Sequence, residues 1–429
     1  MDPTILTTVT DQTKQAVEET SREREARAQQ NFPQVEGSLP DLPRRRSVSR
    51  IDSLTSYLGH LNPFSHPVQE DTETVWLFDN AAYRPEPFYT TRRQPWQVEI
   101  VSAYFVRSSG RDCSKEVAKI ATIIGLDKGT GVDKEKAMKT IEDRLTPLLN
   151  TILPARTVEV KIGDAQSNIL GPSGPNGISV DMVQIDKNYE HGDTISNTVP
   201  HLTSSIPGRT RFADPTGWAI ISDIDDTIKK TLTDDPIGIL RTTFVEEPEP
   251  IAGMPEFYKY LFQQFKQPPL WYLSASPYTL YQFLRQFRDA HYPPGTMTLR
   301  DASWMNLAGF LSSLTKGTQA YKVFEMEKIQ RIFPRRSFVC LGDSTQSDPE
   351  AYAELYRLHP TWIKAIYIRK VQNIKEVTDV LPWRNQEKRN SKERFEKAFE
   401  GVPKEIFYVF DDPKELYDKV AQLIKAGLA

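Results

Sequence analysis

The chain has 429 residues, too many for one ordinary core and enough for two or three folded units with some unfolded tail. Its 54 lysines and arginines against 57 aspartates and glutamates leave a formal net charge of -3, which gives no global attraction to nucleic acid or to an anionic membrane. The only two cysteines, Cys113 and Cys340, stand in no metal-ligand or redox spacing, so neither a disulfide framework nor a zinc site is supported and a reducing compartment fits.

Residues 1–72 are polar and charged, with Phe32 the only aromatic before Tyr57 and with Pro40 and Pro43 as breakers. Such a composition predicts a disordered regulatory or targeting tail. The first residues lack the basic start and apolar run of a secretory leader, and no run of about 18 apolar residues follows anywhere. A cytoplasmic protein, at most peripheral at membranes, is expected. Within the tail, Arg44, Arg45, Arg46 and Arg50 precede Leu54, Tyr57, Leu58 and Leu61, which share one helical face. A basic patch beside an apolar stripe is the make-up of an interfacial helix; a disordered basic segment is the competing reading, and composition favours it. Arg45-Arg46-Ser47-Val48 resembles a basic-directed kinase site, where a phosphate on Ser47 would offset the patch. Asn62-Pro63-Phe64 resembles the tripeptide ligand of endocytic EH domains.

From residue 73 to 212 short alternating runs such as Trp96, Val98, Ile100 and Val158, Val160, Ile162 are separated by Gly, Pro and Asn turns. They predict a smaller β-rich, sandwich-like domain with one helix over 134–149. From 213 to 429 the pattern becomes wholly apolar runs at 218–221, 270–273, 338–341, 363–368 and 406–410, most of them followed by an amphipathic helix. Strands buried on both faces read this way. Leu280, Phe283, Leu284 and Phe287 line one helical face, and Leu416, Val420, Leu423 and Ile424 another. Pro349 and Pro413 each follow an aspartate, the cap-then-proline order of a helix start. The rhythm predicts an α/β doubly wound parallel sheet, in which ligands bind beyond the carboxyl ends of the strands. The charged stretch from Arg384 to Glu400 reads as a solvated helix or insertion without a function of its own.

Acidic residues stand where that rule directs attention. After the first run come Asp223, Asp225 and Thr227, two carboxylates so close that a cation between them is the simplest relief. An acidic turn or cap is the bland alternative. After the second run stands Ser274, with Ser276 as an alternative, a hydroxyl able to donate to a phosphate oxygen. Lys322 opens a helix ahead of the third run and would neutralise charge shared by phosphate and nucleophile. Gly342-Asp343 and Asp348 follow the third run, and Asp348 is also placed to cap a helix.

These four elements, in this order, resemble the haloacid-dehalogenase-like phosphatase superfamily over about residues 217–425. The flanking residues Ser222 to Lys229, Tyr272-Leu273-Ser274-Ala275-Ser276-Pro277 and Leu341 to Glu350, with Val75-Trp76-Leu77-Phe78-Asp79-Asn80 upstream, resemble the fungal actin-patch phosphatidate phosphatases. The resemblance implies Asp223 as nucleophile, Asp225 as general acid/base, and Thr227 and Ser274 as phosphate ligands. It further implies Lys322 as the charge holding phosphate and nucleophile together. Mg2+ would be held by Asp223, the Asp225 backbone carbonyl and Asp343, with Asp348 in support. The substrate implied is phosphatidate in membranes, and the setting endocytosis at cortical actin patches. Phosphoproteins or soluble phosphomonoesters as substrates, and an endocytic adaptor with secondary phosphatase activity, stay open as alternatives. The short gaps between motifs leave little for a lid and suggest an open site. The six histidines are scattered, and neither a nucleophile elbow, a Walker loop nor a basic-aromatic platform for nucleic acid is present.

Overall fold

The computed structural model describes residues 19–41, 49–85, 94–107, 112–126, 133–164, 166–301, 307–372 and 387–427. The chain enters through helices α1 (Ser21–Gln29), α2 (Phe32–Ser38) and α3 (Arg50–Thr55), the last continuing as a 3-10 turn over Ser56–Leu61. The expectation of a disordered tail over 1–72 is therefore corrected for its described part. Phe32, the lone aromatic, is fully buried in the larger core of the molecule, and Glu23 and Arg27 are buried beside it. The segment has too little apolar surface for a core of its own, and it orders by using one built elsewhere. Arg44, Arg45, Arg46 and Ser47 lie outside the described residues, while Arg50 opens α3. Leu54, Tyr57, Leu58 and Leu61 are 51 to 82% exposed. Asn62 is buried, its Oδ1 accepting from the Phe64 amide at 2.9 Å, so Asn62-Pro63-Phe64 is a fixed turn with Phe64 half exposed.

The β-rich part runs through β1 (His66–Pro67), β2 (Glu73–Leu77), β3 (Asn80–Tyr83), β4 (Trp96–Val106), α4 (Ser114–Ile123), α5 (Lys134–Leu149), β5 (Arg156–Ile162), β6 (Gln166–Leu170), β7 (Ile178–Ile185), β8 (Thr194–Thr198) and β9 (Gly208–Phe212). The helix expected over 134–149 is α5. Its partner α4 was not foreseen. The nine strands form one connected sheet in the order β1-β5-β8-β9-β3-β4-β2, with β6 on β5 and β7 on β4. Two separate sandwich sheets are thus not what forms: β3 pairs with both β9 and β4 and joins the halves. The halves still face each other, since Val98 and Ile100 of β4 share a core with Val158, Val160 and Ile162 of β5.

The second part comprises β10 (Gly217–Asp223), α6 (Pro236–Phe244), α7 (Met254–Gln264), β11 (Leu270–Pro277), α8 (Tyr281–His291), β12 (Thr296–Arg300), α9 (Leu307–Thr315), α10 (Thr318–Ile332), β13 (Arg336–Asp343), α11 (Asp348–Leu358), β14 (Ile363–Arg369), α12 (Lys392–Ala398), β15 (Phe407–Phe410) and α13 (Leu416–Gly427). Every apolar run read as a strand is one. The six strands are parallel throughout, in the order β12-β11-β10-β13-β14-β15. Alternation sends Ile220, Tyr272 and Leu341 into a core with α7, α8 and α9, and Ala219, Ile221, Leu273 and Cys340 into a second core with α10 and α11. From β10 the chain winds outward first through β11 and β12, then returns to β13 on its other side, so strand order reverses between β10 and β13. Among the described residues no helix is long and apolar enough to cross a membrane.

The two parts meet over a buried ion cluster. Asp79 accepts from Arg209 at 2.7 Å, Arg288 at 2.6 Å and Arg285 at 3.0 Å, and its amide accepts nothing but donates to the Tyr281 hydroxyl at 2.7 Å. Asp289 offsets the excess of guanidinium charge.

Candidate active site

The carboxyl ends of β10 and β13 lie side by side at the point of strand-order reversal, and each ends in an aspartate, Asp223 and Asp343. In open parallel sheets the loops leaving two such strands diverge, and this is where ligands bind. Asp223 Oδ2 accepts from the Thr227 hydroxyl at 3.0 Å, and that hydroxyl lies 3.5 Å from Asp343 Oδ2. Lys322, one turn into α10, donates to Asp223 Oδ1 at 2.7 Å and also to Asp348 Oδ1. The other oxygen of Asp348 accepts from the Asp343 amide at 3.0 Å. Gly342 is required here, because a Cβ on it would fall 2.6 Å from the Asp348 Cβ.

Ser274 and Ser276 stand two apart on β11, so both hydroxyls leave the same face of the strand. Both aim at Asp225 Oδ2, Ser276 at 3.4 Å and Ser274 in closer contact, while Thr231 donates to Asp225 Oδ1 at 2.8 Å. The residues singled out from the sequence, Asp223, Asp225, Thr227, Ser274, Lys322, Asp343 and Asp348, are therefore brought together. None of them is more than 3% exposed. An open site, expected from the short gaps, is not seen at these side chains. The stretch after Thr227, where the sequence led to no helix, carries α6, started by Asp235 accepting from the Ile237 amide. The site residues stand well apart from Asn62, Pro63 and Phe64 in sequence.

The electrostatics ask for a cation. Burial, reinforced by Asp348, Asp343 and Asp225 and opposed by Lys322, raises Asp223 well above the carboxylate range. Burial, then Asp348 and Asp226, pushes Asp343 up to about 8. For Lys322 burial pulls downward, but Asp223, Asp348 and Asp343 outweigh it and hold the ammonium firmly charged. One lysine cannot balance the group. Ligand oxygens of Asp223, Asp343 and Asp348 lie within 4.8 Å of one another, the one metal-capable cluster among the described residues. All donors are carboxylate oxygens, which suit a hard divalent ion such as Mg2+ and not a soft one. All three carboxylates already accept hydrogen bonds within the group, Asp223 from Lys322 and Thr227, Asp343 from the Thr345 amide, and Asp348 from Lys322 and the Asp343 amide.

Sequence reasoning missed several groups that build this site. Asp226, with φ of 62° in the left-handed region, accepts from the amides of Thr231, Leu232 and Thr233 and from the Thr233 hydroxyl, all within 2.9 Å. It thereby folds residues 227–233 back over the end of β10 and delivers Thr231 to Asp225. Lys229 is buried too, donating to Thr231 Oγ1 at 3.1 Å; burial lowers its pKa against the pull of Asp225 and Asp226. Arg394, from the stretch read as solvated, is a correction: it pairs with Glu350 at 3.1 Å and donates to the Ser344 and Gln346 carbonyls, clamping the loop between Asp343 and Asp348. A run of charges gives no sign of which one has a buried carboxylate to meet.

Residues 218–370 match the family model described as "Phosphatidate phosphatase APP1, catalytic domain". That span includes all seven site residues. Phosphatidate phosphatase APP1 of Saccharomyces cerevisiae is 33% identical over 186 residues, covering 43% of this chain and 29% of that protein. An uncharacterized protein of Schizosaccharomyces pombe is 27% identical over 203 residues, covering 46% of this chain and 31% of its own. The chain thus spans about 30% of the length of these relatives. Among solved structures, a β-glucuronidase from Ruminococcus gnavus aligns at 9% identity over 69% of this chain and 47% of that one, with a TM-score of 0.19, too low to bear on the fold. The resemblance to phosphatidate phosphatases read from the motifs is borne out over the matched segment.

Proposed function

We propose that this chain is a Mg2+-dependent phosphatidate phosphatase releasing diacylglycerol and phosphate, on a haloacid-dehalogenase-like doubly wound unit. The observation that carries the reading is Lys322 held between Asp223 and Asp348 beside Asp343, at the strand-order reversal and inside the matched segment. Mg2+ would be held by Asp223, the Asp225 backbone carbonyl and Asp343, with Asp348 in support, and would supply charge neutralisation for the phosphate. The chain's own groups do the rest. Lys322 favours the ionised form of Asp223 against the burial and neighbouring carboxylates that raise it, and in that form a carboxylate oxygen attacks phosphorus while the bond to the diacylglycerol oxygen breaks. Asp225 gives that oxygen a proton, then takes one from water as the water attacks the aspartyl-phosphate, freeing phosphate and the Asp223 carboxylate. Thr231, Ser274 and Ser276, which all donate to Asp225, hold its carboxyl in place for both transfers. Thr227 and Ser274 can turn their hydroxyls to a phosphate once it enters.

Hydrolysis of phosphatidate in mixed micelles, with and without Mg2+, tests this directly. Wild-type activity that needs Mg2+ and vanishes in Asp223→Asn is the expected result; full activity in Asp223→Asn removes the nucleophile assignment. Preference for phosphoproteins or small phosphomonoesters in the same assay would keep the chemistry and replace the substrate. A setting at cortical actin patches, with EH-domain partners on Asn62-Pro63-Phe64 and peripheral membrane contact through Arg44, Arg45, Arg46 and Arg50, belongs to the same proposal. The exposed ring of Phe64 and the exposed stripe of Leu54, Tyr57, Leu58 and Leu61 favour it. The buried Asn62 side chain weighs against a turn freely open to a partner.

A further inference from the structure

Helix α10 carries Lys322, yet it begins badly. Its cap, Gly317, is in the left-handed region at φ 58° and offers no side chain to the free amides of the first turn. Helix α11 carries Asp348 and is preceded by Ser347, whose hydroxyl does not cap its own helix either. Two helix starts that lie together and hold the two partners of one buried ion pair would ordinarily need caps of their own.

The first turn of α10, and the Ser347 hydroxyl just ahead of α11, are both met from the other end of the chain. Glu23 on α1 is 5% exposed. Its Oε1 accepts from the Thr318 hydroxyl at 2.8 Å, from the Gln319 amide at 3.1 Å and from the Ser347 hydroxyl at 2.9 Å. Its Oε2 accepts from the Thr20 amide at 2.8 Å while the Thr20 hydroxyl accepts from the Glu23 amide, a capping box that fixes the carboxylate's direction. Next to it, Arg22 donates to the Gln346 carbonyl at 3.0 Å and to Ser347 Oγ at 2.7 Å, and pairs with Glu350 at 3.2 Å. A negative charge at a helix N-terminus also meets the positive end of the α10 dipole. The segment is itself anchored, by Phe32 in the core and by Arg27, which pairs with Glu36 at 2.7 Å and contacts the Thr315 hydroxyl.

We infer that Glu23, assisted by Arg22, is a positioning residue for the reaction, fixing the starts of α10 and α11 so that Lys322 meets Asp223 and Asp348 at once. This rests on the phosphatase reading of the site but on residues outside the segment matched by the family model. Thr318 and Lys322 are one turn apart, so slack in the first turn of α10 moves the ammonium directly. A displacement of about 1 Å at such a charge costs on the order of a hundredfold in rate.

The test uses the full chain with Glu23→Ala, Glu23→Gln and Arg24→Ala, the last an exposed neighbour on the same helix. Glu23→Gln keeps an acceptor oxygen for Gln319 and Ser347. On phosphatidate in mixed micelles, Glu23→Ala should lose roughly ten- to hundredfold in kcat with KM within about twofold, Glu23→Gln should recover most of it, and Arg24→Ala should match wild type. In metal-free protein without substrate, amide exchange over 318–322 and 346–350 should rise in Glu23→Ala and not in Glu23→Gln. Wild-type kcat in Glu23→Ala, or Glu23→Gln falling as far as Glu23→Ala, overturns the inference, as does unchanged exchange in those two stretches. If the wild type hydrolyses no phosphomonoester, the proposed function fails, and the exchange arm alone still decides whether α1 holds the two helix starts.

Discussion

Replacing Lys322 by methionine, which keeps most of the stem and deletes the charge, probes the balance on which the site depends. At 2.7 Å and an effective dielectric of about 20, the bare attraction between the ammonium and Asp223 is roughly 6 kcal/mol, and Asp348 adds a second contact. Desolvation offsets much of that, so the expected loss of unfolding free energy on removing one partner of a buried pair is about 3–5 kcal/mol. The loss should depend on pH, with a definite sign. Asp223 and Asp343 already have raised pKa values when folded, Asp343 at about 8 against 3.8 for an ordinary aspartate, so they bind protons more tightly in the folded state. Their contribution is fully present at low pH and is lost as pH rises through the folded values. Without Lys322 the carboxylates gain further by staying protonated. Urea titrations of metal-free Lys322→Met should therefore show a deficit that is small near pH 5 and large near pH 8. An equal deficit at both values would mean that Lys322 stabilises by packing alone, and the electrostatic reasoning would fall.

The same linkage predicts that metal-free wild type loses thermal stability between about pH 4 and pH 8, and that Mg2+ raises the melting temperature more at the upper end, as thermal melts across that range would show. Asp343→Ala should abolish the Mg2+ shift at every pH. For the hydroxyls on β11, Ser274→Ala should reduce kcat about tenfold or more and Ser276→Ala less, because Ser274 makes the closer contact with Asp225; steady-state kinetics that reverse this order would make Ser276 the motif residue. Arg394→Ala should destabilise the chain by about 2–4 kcal/mol in urea, since it leaves Glu350 and two loop carbonyls short of donors.

What could be read in the sequence divides along a physical line. A strand buried on both faces must be apolar at every position, so the five runs from 218 to 410 were visible without knowledge of their neighbours, and so was the rule placing Asp223 and Asp343 at strand ends. Ser274 and Lys322 became meaningful only through order and spacing relative to those ends. Helix α6 was missed although Asp235-Pro236 carries the same cap-then-proline signal as the starts at Pro349 and Pro413. Its signal was hidden by the polar turn before it. Asp226 was left without a role because its work is to accept from four donors close by in the chain, as any aspartate in a turn can.

The groups from the two ends of the chain were illegible for a different reason. Arg22, Glu23 and Arg394 converge on residues 344–350 and on the start of α10 from more than 40 residues away, and in Glu23's case from 295. Nothing local distinguishes a glutamate that caps a distant helix from one in solvent, since both stand in polar surroundings. Burial of charge is decided by the partner, and a polar segment can be ordered whenever a few of its charges and one aromatic find partners in an existing fold. Phe32 was the feature of the tail that composition could not explain, and it is the residue that seats α1 where Glu23 reaches the helix carrying Lys322. A polar tail that holds a single large apolar residue among paired charges is therefore better searched for a docking anchor than dismissed as unfolded.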